Sequence, residues 1–146
     1  MVAPMIGSKR ASKREWAHME ACKTRVCIPC LVGVQLGLID PRHAVRGGDD
    51  DDGMPLPMVT YQHCKSGNMR KGHLDGYGCC MWHHFGTQQL HALGMSKEEA
   101  RARWGPNLHD NGREFRETFG TEAELVEIQA FVLQQSAAGG RLSAVI

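Results

Sequence analysis

Two short motifs hold residues that could do chemistry together. Cys27-Ile28-Pro29-Cys30 is a Cys-x2-Cys turn, and Cys80-Met81-Trp82-His83 repeats the spacing with a nitrogen ligand in second place. A two-residue gap lets both side chains of a pair reach one ion around a tight turn. Three thiolates and one imidazole make a closed tetrahedral set typical of structural zinc, with no position left for a substrate, so the role it predicts is folding energy. Cys79 offers a competing Cys-x3-His spacing with His83. Redox chemistry, which a Cys-x2-Cys pair also serves, would call for a βαβ context, and none is evident around Cys27. Cys22 and Cys64 are expected as small buried hydrophobes.

A second constellation starts from the adjacent pair His83 and His84. Successive helical residues are about 100° apart, so the two imidazoles of a regular helix cannot share one metal. If His83 turns to the thiolates, His84 points elsewhere. His91 lies two turns further on the same face, roughly 10 Å along a straight axis and too far for a shared ion, so the helix must break or bend, and Gly86 between them allows it. His63, on the strand expected before this helix, is the candidate general base: it would face a metal held by the helix histidines and activate water.

The elements that must position these groups follow from the surrounding pattern. Residues 58–64 (MVTYQHC) have the β-branched and aromatic character of a short strand, residues 65–73 form a basic Gly- and Asn-bearing turn, and residues 77–80 make a second strand. From about residue 81 to 93 the pattern turns helical, giving strand, turn, strand, helix. Ser96-Lys97-Glu98-Glu99 and Thr121-Glu122-Ala123-Glu124 are capping boxes. The first opens a helix ending near Gly105-Pro106. The second opens one reaching about Gln135, with Leu125, Ile128, Val132 and Phe131 on its apolar side. A shorter helix over 113–119 puts Phe115 and Phe119 on one face. Asp49, Asp50, Asp51 and Asp52 sit between glycines in a stretch that reads as a solvated acidic loop, because calcium loops space their acids.

At 146 residues with 6% aromatics, the chain suits one domain with a modest core that gains from a metal staple. The first residues lack the apolar run of a secretory signal, and no stretch approaches a membrane span. Clustered Cys and His therefore read as metal ligands of a cytoplasmic protein rather than as disulfides. Net charge is +1 but uneven: residues 1–25 carry six Lys/Arg against two acids, residues 96–135 five against eight. Residues 1–25 read as a basic, flexible arm, admitting a helical turn around residues 15–22. Residues 26–135 read as the domain and 136–146 as a loose tail. A basic arm containing Lys9, Arg10, Lys13 and Arg14, with Lys65, Arg70 and Lys71 on the turn, suits the phosphates of nucleic acid.

Taken together, Cys27-x2-Cys30, Gln62-His63, Gly67, Arg70-Lys71-Gly72-His73, Cys80-x2-His83-His84, Gly86 and His91-x2-Gly94 resemble the phage Ref family of RecA-dependent recombination-enhancement nucleases, within the HNH superfamily. Trp104-Gly105-Pro106 and Phe115-x3-Phe119-Gly120 resemble that family's C-terminal helical portion. The resemblance covers about residues 25–130. It implies an α+β fold: a small ββα-metal core stapled by a Cys3His zinc site, with C-terminal helices. It implies an endonuclease that hydrolyses DNA phosphodiesters with Mg²⁺ or Mn²⁺, leaving 3′-hydroxyl and 5′-phosphate ends, and acts on DNA in a RecA filament. Cys27, Cys30, Cys80 and His83 fall on the structural zinc positions, His63 on the general base, and His84 and His91 on catalytic-metal positions. Gln62 stands where the family has the first His of a His-His pair; its amide oxygen can ligate a hard ion, more weakly than imidazole. His73 and Asp75 fall on the connection before the second strand, where they could contact phosphate or orient His63.

Overall fold

The computed structural model describes residues 10–47, 59–66, 69–70, 72, 74–86 and 90–137. The architecture is α+β: seven helices among these residues surround a two-stranded sheet. Helix α1 (Lys13–Lys23) is followed by α2 (Ile28–Gln35) and a 3-10 turn (Pro41–His43). Strand β1 (Val59–His63) pairs antiparallel with β4 (Gly76–Cys80), Val59 opposite Cys80 and His63 opposite Gly76. Between them the expected basic turn contains a small hairpin, β2 (Lys65–Ser66) with β3 (Met69–Arg70). Helices α3 (Met81–Phe85), α4 (Leu90–Leu93), α5 (Lys97–Trp104), α6 (Gly112–Phe119) and α7 (Glu122–Ala137) complete the chain.

Alternation along β1 gives the sheet two distinct faces. Val59, Tyr61 and His63 point one way; Thr60 and Gln62 point the other. Helix α1 covers the first face, where the ring of His18 lies edge-on to Tyr61, centroids 6.0 Å apart. Tyr77 and Cys79, both fully buried, share the second face with Thr60 and Gln62. Helix α7 closes the outer edge of β4: the Gly78 N–H donates to Gln129 Oε1 at 2.7 Å. Gln129 is 1% exposed, so Gln129→Ala strands a buried backbone donor and should cost about 1–3 kcal/mol. The Tyr77 hydroxyl is also buried, with no hydrogen-bond partner among the described residues, and Tyr77→Phe should leave stability unchanged or raised. Urea melts of the two variants check this opposite pair of effects.

The capping boxes of α5 and α7 form with both reciprocal hydrogen bonds. The helix of residues 113–119 is present as α6, with Phe115 and Phe119 buried. Cys22 and Cys64 are buried as expected. Three readings change. Residues 13–23 are not flexible arm: Ser12 and Glu15 cap α1, and Met19 and Cys22, one turn apart, bury its inner side against the sheet. The inward stripe of α7 is Leu125, Gln129 and Val132, while Phe131 is half exposed, because a 100° step from Val132 carries it outward. That helix also runs to Ala137, shortening the expected tail. Asp49 to Asp52, Gly67 and the tail from residue 138 lie outside the described residues. No helix among the described residues is long and apolar enough to cross a membrane.

Candidate metal centre

The site is built from two helix starts. Cys27 is the N-cap of α2 and Cys30 its third residue; Cys80 is the N-cap of α3 and His83 its third residue. N-cap and third positions face each other across the first turn, as the capping box exploits, so each Cys-x2-ligand motif aims two donor atoms at one point. Pro29 suits this place because the first turn needs no N–H from it. Helix N-termini also favour the negative charge of thiolates. Strand β4 runs straight into α3, and the Cys27 N–H is held by the Val45 carbonyl at 2.8 Å. The two turns are thus fixed by separate backbone contacts.

The four ligand atoms lie within 4.8 Å of one another, and all four residues are fully buried. His83 Nδ1 is 3.5 Å from Cys27 Sγ, 3.6 Å from Cys30 Sγ and 3.2 Å from Cys80 Sγ. A tetrahedral ion with the sulfur and nitrogen bond lengths of zinc requires an N···S separation of about 3.5 Å, so the residues fit such an ion. The tautomer is fixed from behind. His83 Nε2 is 2.7 Å from the Trp104 carbonyl, which can only accept, so the proton sits on Nε2 and the Nδ1 lone pair faces the sulfurs. Phe115 and Phe119 close edge-on around the same ring, at 6.1 and 4.9 Å.

Electrostatics call for a cation here. Burial opposes ionisation of Cys27, yet hydrogen bonds from Cys30, Cys79 and Cys80 and the imidazole of His83 hold that thiol well below its ordinary range. Burial, then the hydrogen bond each makes with Cys27, pushes Cys30 and Cys80 up. One thiolate forms readily and the others resist it, a conflict that a divalent cation removes by drawing off all the thiol protons. The buried Cys3His cluster can hold a metal such as zinc. Cys79 is buried beside it, and its competing spacing is not the one that assembles.

No protein-family model, curated protein or solved structure matches this chain.

His84 separates from His83 as a helix requires. Its Nδ1 lies 2.8 Å from Thr60 Oγ1, and the Thr60 hydroxyl donates to the Cys79 carbonyl at 2.7 Å. With that proton committed, Thr60 accepts from His84 Nδ1–H, which leaves the lone pair on Nε2, the atom a metal or a proton would take. Helix α3 ends at Gly86, whose φ of +89° breaks the run toward α4 as expected. His63 does not share that face. It points with Tyr61, rings perpendicular at 5.0 Å, so the expectation that it faces the helix histidines across β1 is corrected by the strand's own alternation. Gln62 is on the His84 face, its amide donating to the His63 carbonyl at 3.0 Å. The Asp75 carbonyl accepts from Cys64 N–H at 2.8 Å, and its side chain is exposed. Of the expected phosphate-binding residues, Arg10, Lys13 and Arg14 are exposed on or before α1. Lys9, Lys71 and His73 lie outside the described residues, as do the side chains of Lys65, Arg70 and His91.

One supporting element has no counterpart in the sequence reading. The turn at residues 107–111 docks on the end of α3: Leu108 N–H donates to the His83 carbonyl at 2.8 Å. Asn107, 2% exposed, accepts from Asp110 N–H at 2.7 Å and donates to its carboxylate at 2.9 Å, directly under Gly86. Asn107 and Lys97 hold the Asp110 carboxyl down to about 2, so it stays charged wherever thiolates can bind metal. The same turn presents His109, largely exposed. The available signal was the Asn-x2-Asp spacing, which closes a turn on itself. Asn107→Ala removes two part-buried hydrogen bonds to Asp110 and should cost about 1–2 kcal/mol in a thermal melt, with zinc retained.

Proposed function

We propose that this chain is a metal-dependent DNA endonuclease of the ββα-metal type, stapled by a structural zinc ion at Cys27, Cys30, Cys80 and His83. The observation that carries the reading is the division of labour between His83 and His84. Adjacent imidazoles leave α3 in different directions, one sealed among thiols and one turned to β1, where its Nδ1 lies against Thr60. In this reading His84 and the Gln62 oxygen on the same face would hold a catalytic Mg²⁺ or Mn²⁺, with His91 contributing as the resemblance implies. Such an ion polarises the scissile phosphate and offsets charge on the leaving oxygen. His63, at the end of β1, is the general base that the resemblance implies. It takes the proton of the attacking water. Arg10, Lys13 and Arg14 hold the backbone without reading sequence.

Supercoiled plasmid incubated with Mg²⁺ or Mn²⁺, with and without RecA filaments, tests this. Nicking by the wild type that is lost in a folded, zinc-loaded His63→Ala chain is the expected result. Gln62 favours a second reading, a non-catalytic zinc-stapled DNA-binding accessory protein in recombination, because an amide replaces an imidazole at a metal position. Tight DNA binding with no cleavage under either metal would select it.

A further inference from the structure

We propose that Trp16 is a stacking site for an unpaired nucleobase, so that the exposed face of α1 carrying Trp16 and Lys13 holds single-stranded DNA, with Arg10 and Arg14 adding positive charge at the start of the helix. This rests on the reading of DNA as partner and adds the form of DNA that is held. The chain has three tryptophans, and two are interior: Trp82 and Trp104 are each 3% exposed, while Trp16 is 53% exposed. The exposed ring is not on a loose segment. The Ser12–Glu15 capping box fixes the start of α1, and Met19 and Cys22 bury its other side. Indole has only two side-chain torsions to fix, so a rigid helix offers it as a platform at small entropic cost.

The charges around it are sorted for an anion. Both acids of α1 are already engaged, Glu15 in the cap and Glu20 with Lys23 at 2.9 Å. Arg10, Lys13 and Arg14 have no ion-pair partner among the described residues. Lys13 lies one turn before Trp16 and so borders the ring. Cations beside an exposed aromatic match a strand that alternates phosphate and base. A duplex hides its base faces in its own stack, whereas an unpaired base offers one to the indole. The location also fits. Helix α1 lies on the face of β1 that carries Tyr61 and His63, with His18 touching Tyr61. A single strand anchored at Trp16 therefore runs on the side of the sheet where the proposed base stands.

Intrinsic fluorescence of the zinc-loaded full chain tests this, with no Mg²⁺ or Mn²⁺ added so that no cleavage occurs. Oligothymidylate should quench emission in the wild type and not in Trp16→Phe, because the buried indoles stay out of reach. Trp16→Ala should weaken oligothymidylate binding about tenfold or more, leave binding of a blunt duplex unchanged, and leave the salt dependence unaltered. Trp16→Phe should retain most of the affinity. Lys13→Ala/Arg14→Ala should instead flatten the salt dependence for both DNA forms. Unchanged oligothymidylate affinity in Trp16→Ala, or equal weakening for both forms, overturns the stacking site while leaving the nuclease reading intact. A wild type that binds no DNA overturns both.

Discussion

Cys30→Ser is expected to leave the chain without bound zinc and without cooperative structure. Structural zinc sites of this donor type contribute roughly 10–16 kcal/mol at neutral pH. A small domain has about 5–15 kcal/mol of total stability, so loss of the ion removes all of it. The coupling is visible in the packing. The two helix starts that carry the ligands are separated by 53 residues in sequence, from Cys27 to Cys80, and meet at the centre of the core among Phe115, Phe119 and Trp104. Without an ion, the three buried thiols and the imidazole keep only weak sulfur hydrogen bonds to one another. Circular dichroism with a zinc count on the purified chain measures the effect. The control is Cys79→Ser, which alters a buried thiol outside the ligand set and should keep one zinc per chain. Acid should mimic the first variant, because protons compete with zinc for the thiolates and the stability they confer falls with pH. If Cys30→Ser melts like the wild type, the staple is refuted.

His84→Ala has the largest expected effect on activity. It removes the Nε2 donor without touching the thiolate cluster, so cleavage should fall by at least about 100-fold. One zinc per chain should remain, because His84 lies outside the ligand set. Thr60→Val discriminates further. It deletes the acceptor that holds the proton on His84 Nδ1, and groups that orient metal-bound histidines are worth about 10–100-fold. A loss in that range, with zinc unchanged, identifies Thr60 as a positioning residue. Full activity in His84→Ala would remove His84 from the proposed catalytic site.

What the sequence disclosed was whatever depends on local spacing. The x2 gaps at 27–30 and 80–83 are geometry carried within one helical turn, and they appear as N-cap and third-residue pairs. Strands β1 and β4 and the capping boxes of α5 and α7 are equally local. Helix α1 was legible only as a turn around residues 15–22, because only Met19 and Cys22 turn inward, too few positions for a visible stripe among charged residues. Gln129 took an inward place expected of an apolar residue because the edge of β4 needed an acceptor, which only the tertiary arrangement reveals. The bond between Thr60 and His84, 24 residues apart, depends on how α3 leaves the sheet, and no pattern within either segment announces it. The opposite orientation of His63 could have been read from strand alternation once Thr60 was known to face α3.

Zinc-edge X-ray absorption on the wild type and His84→Ala tests the separation of the two histidines most directly. Three sulfurs at about 2.3 Å and one nitrogen at about 2.0 Å, identical in both proteins, are the predicted shell. A second imidazole that disappears in His84→Ala would show that His83 and His84 share one ion, and a shell without three sulfurs would contradict the Cys3His ligand set.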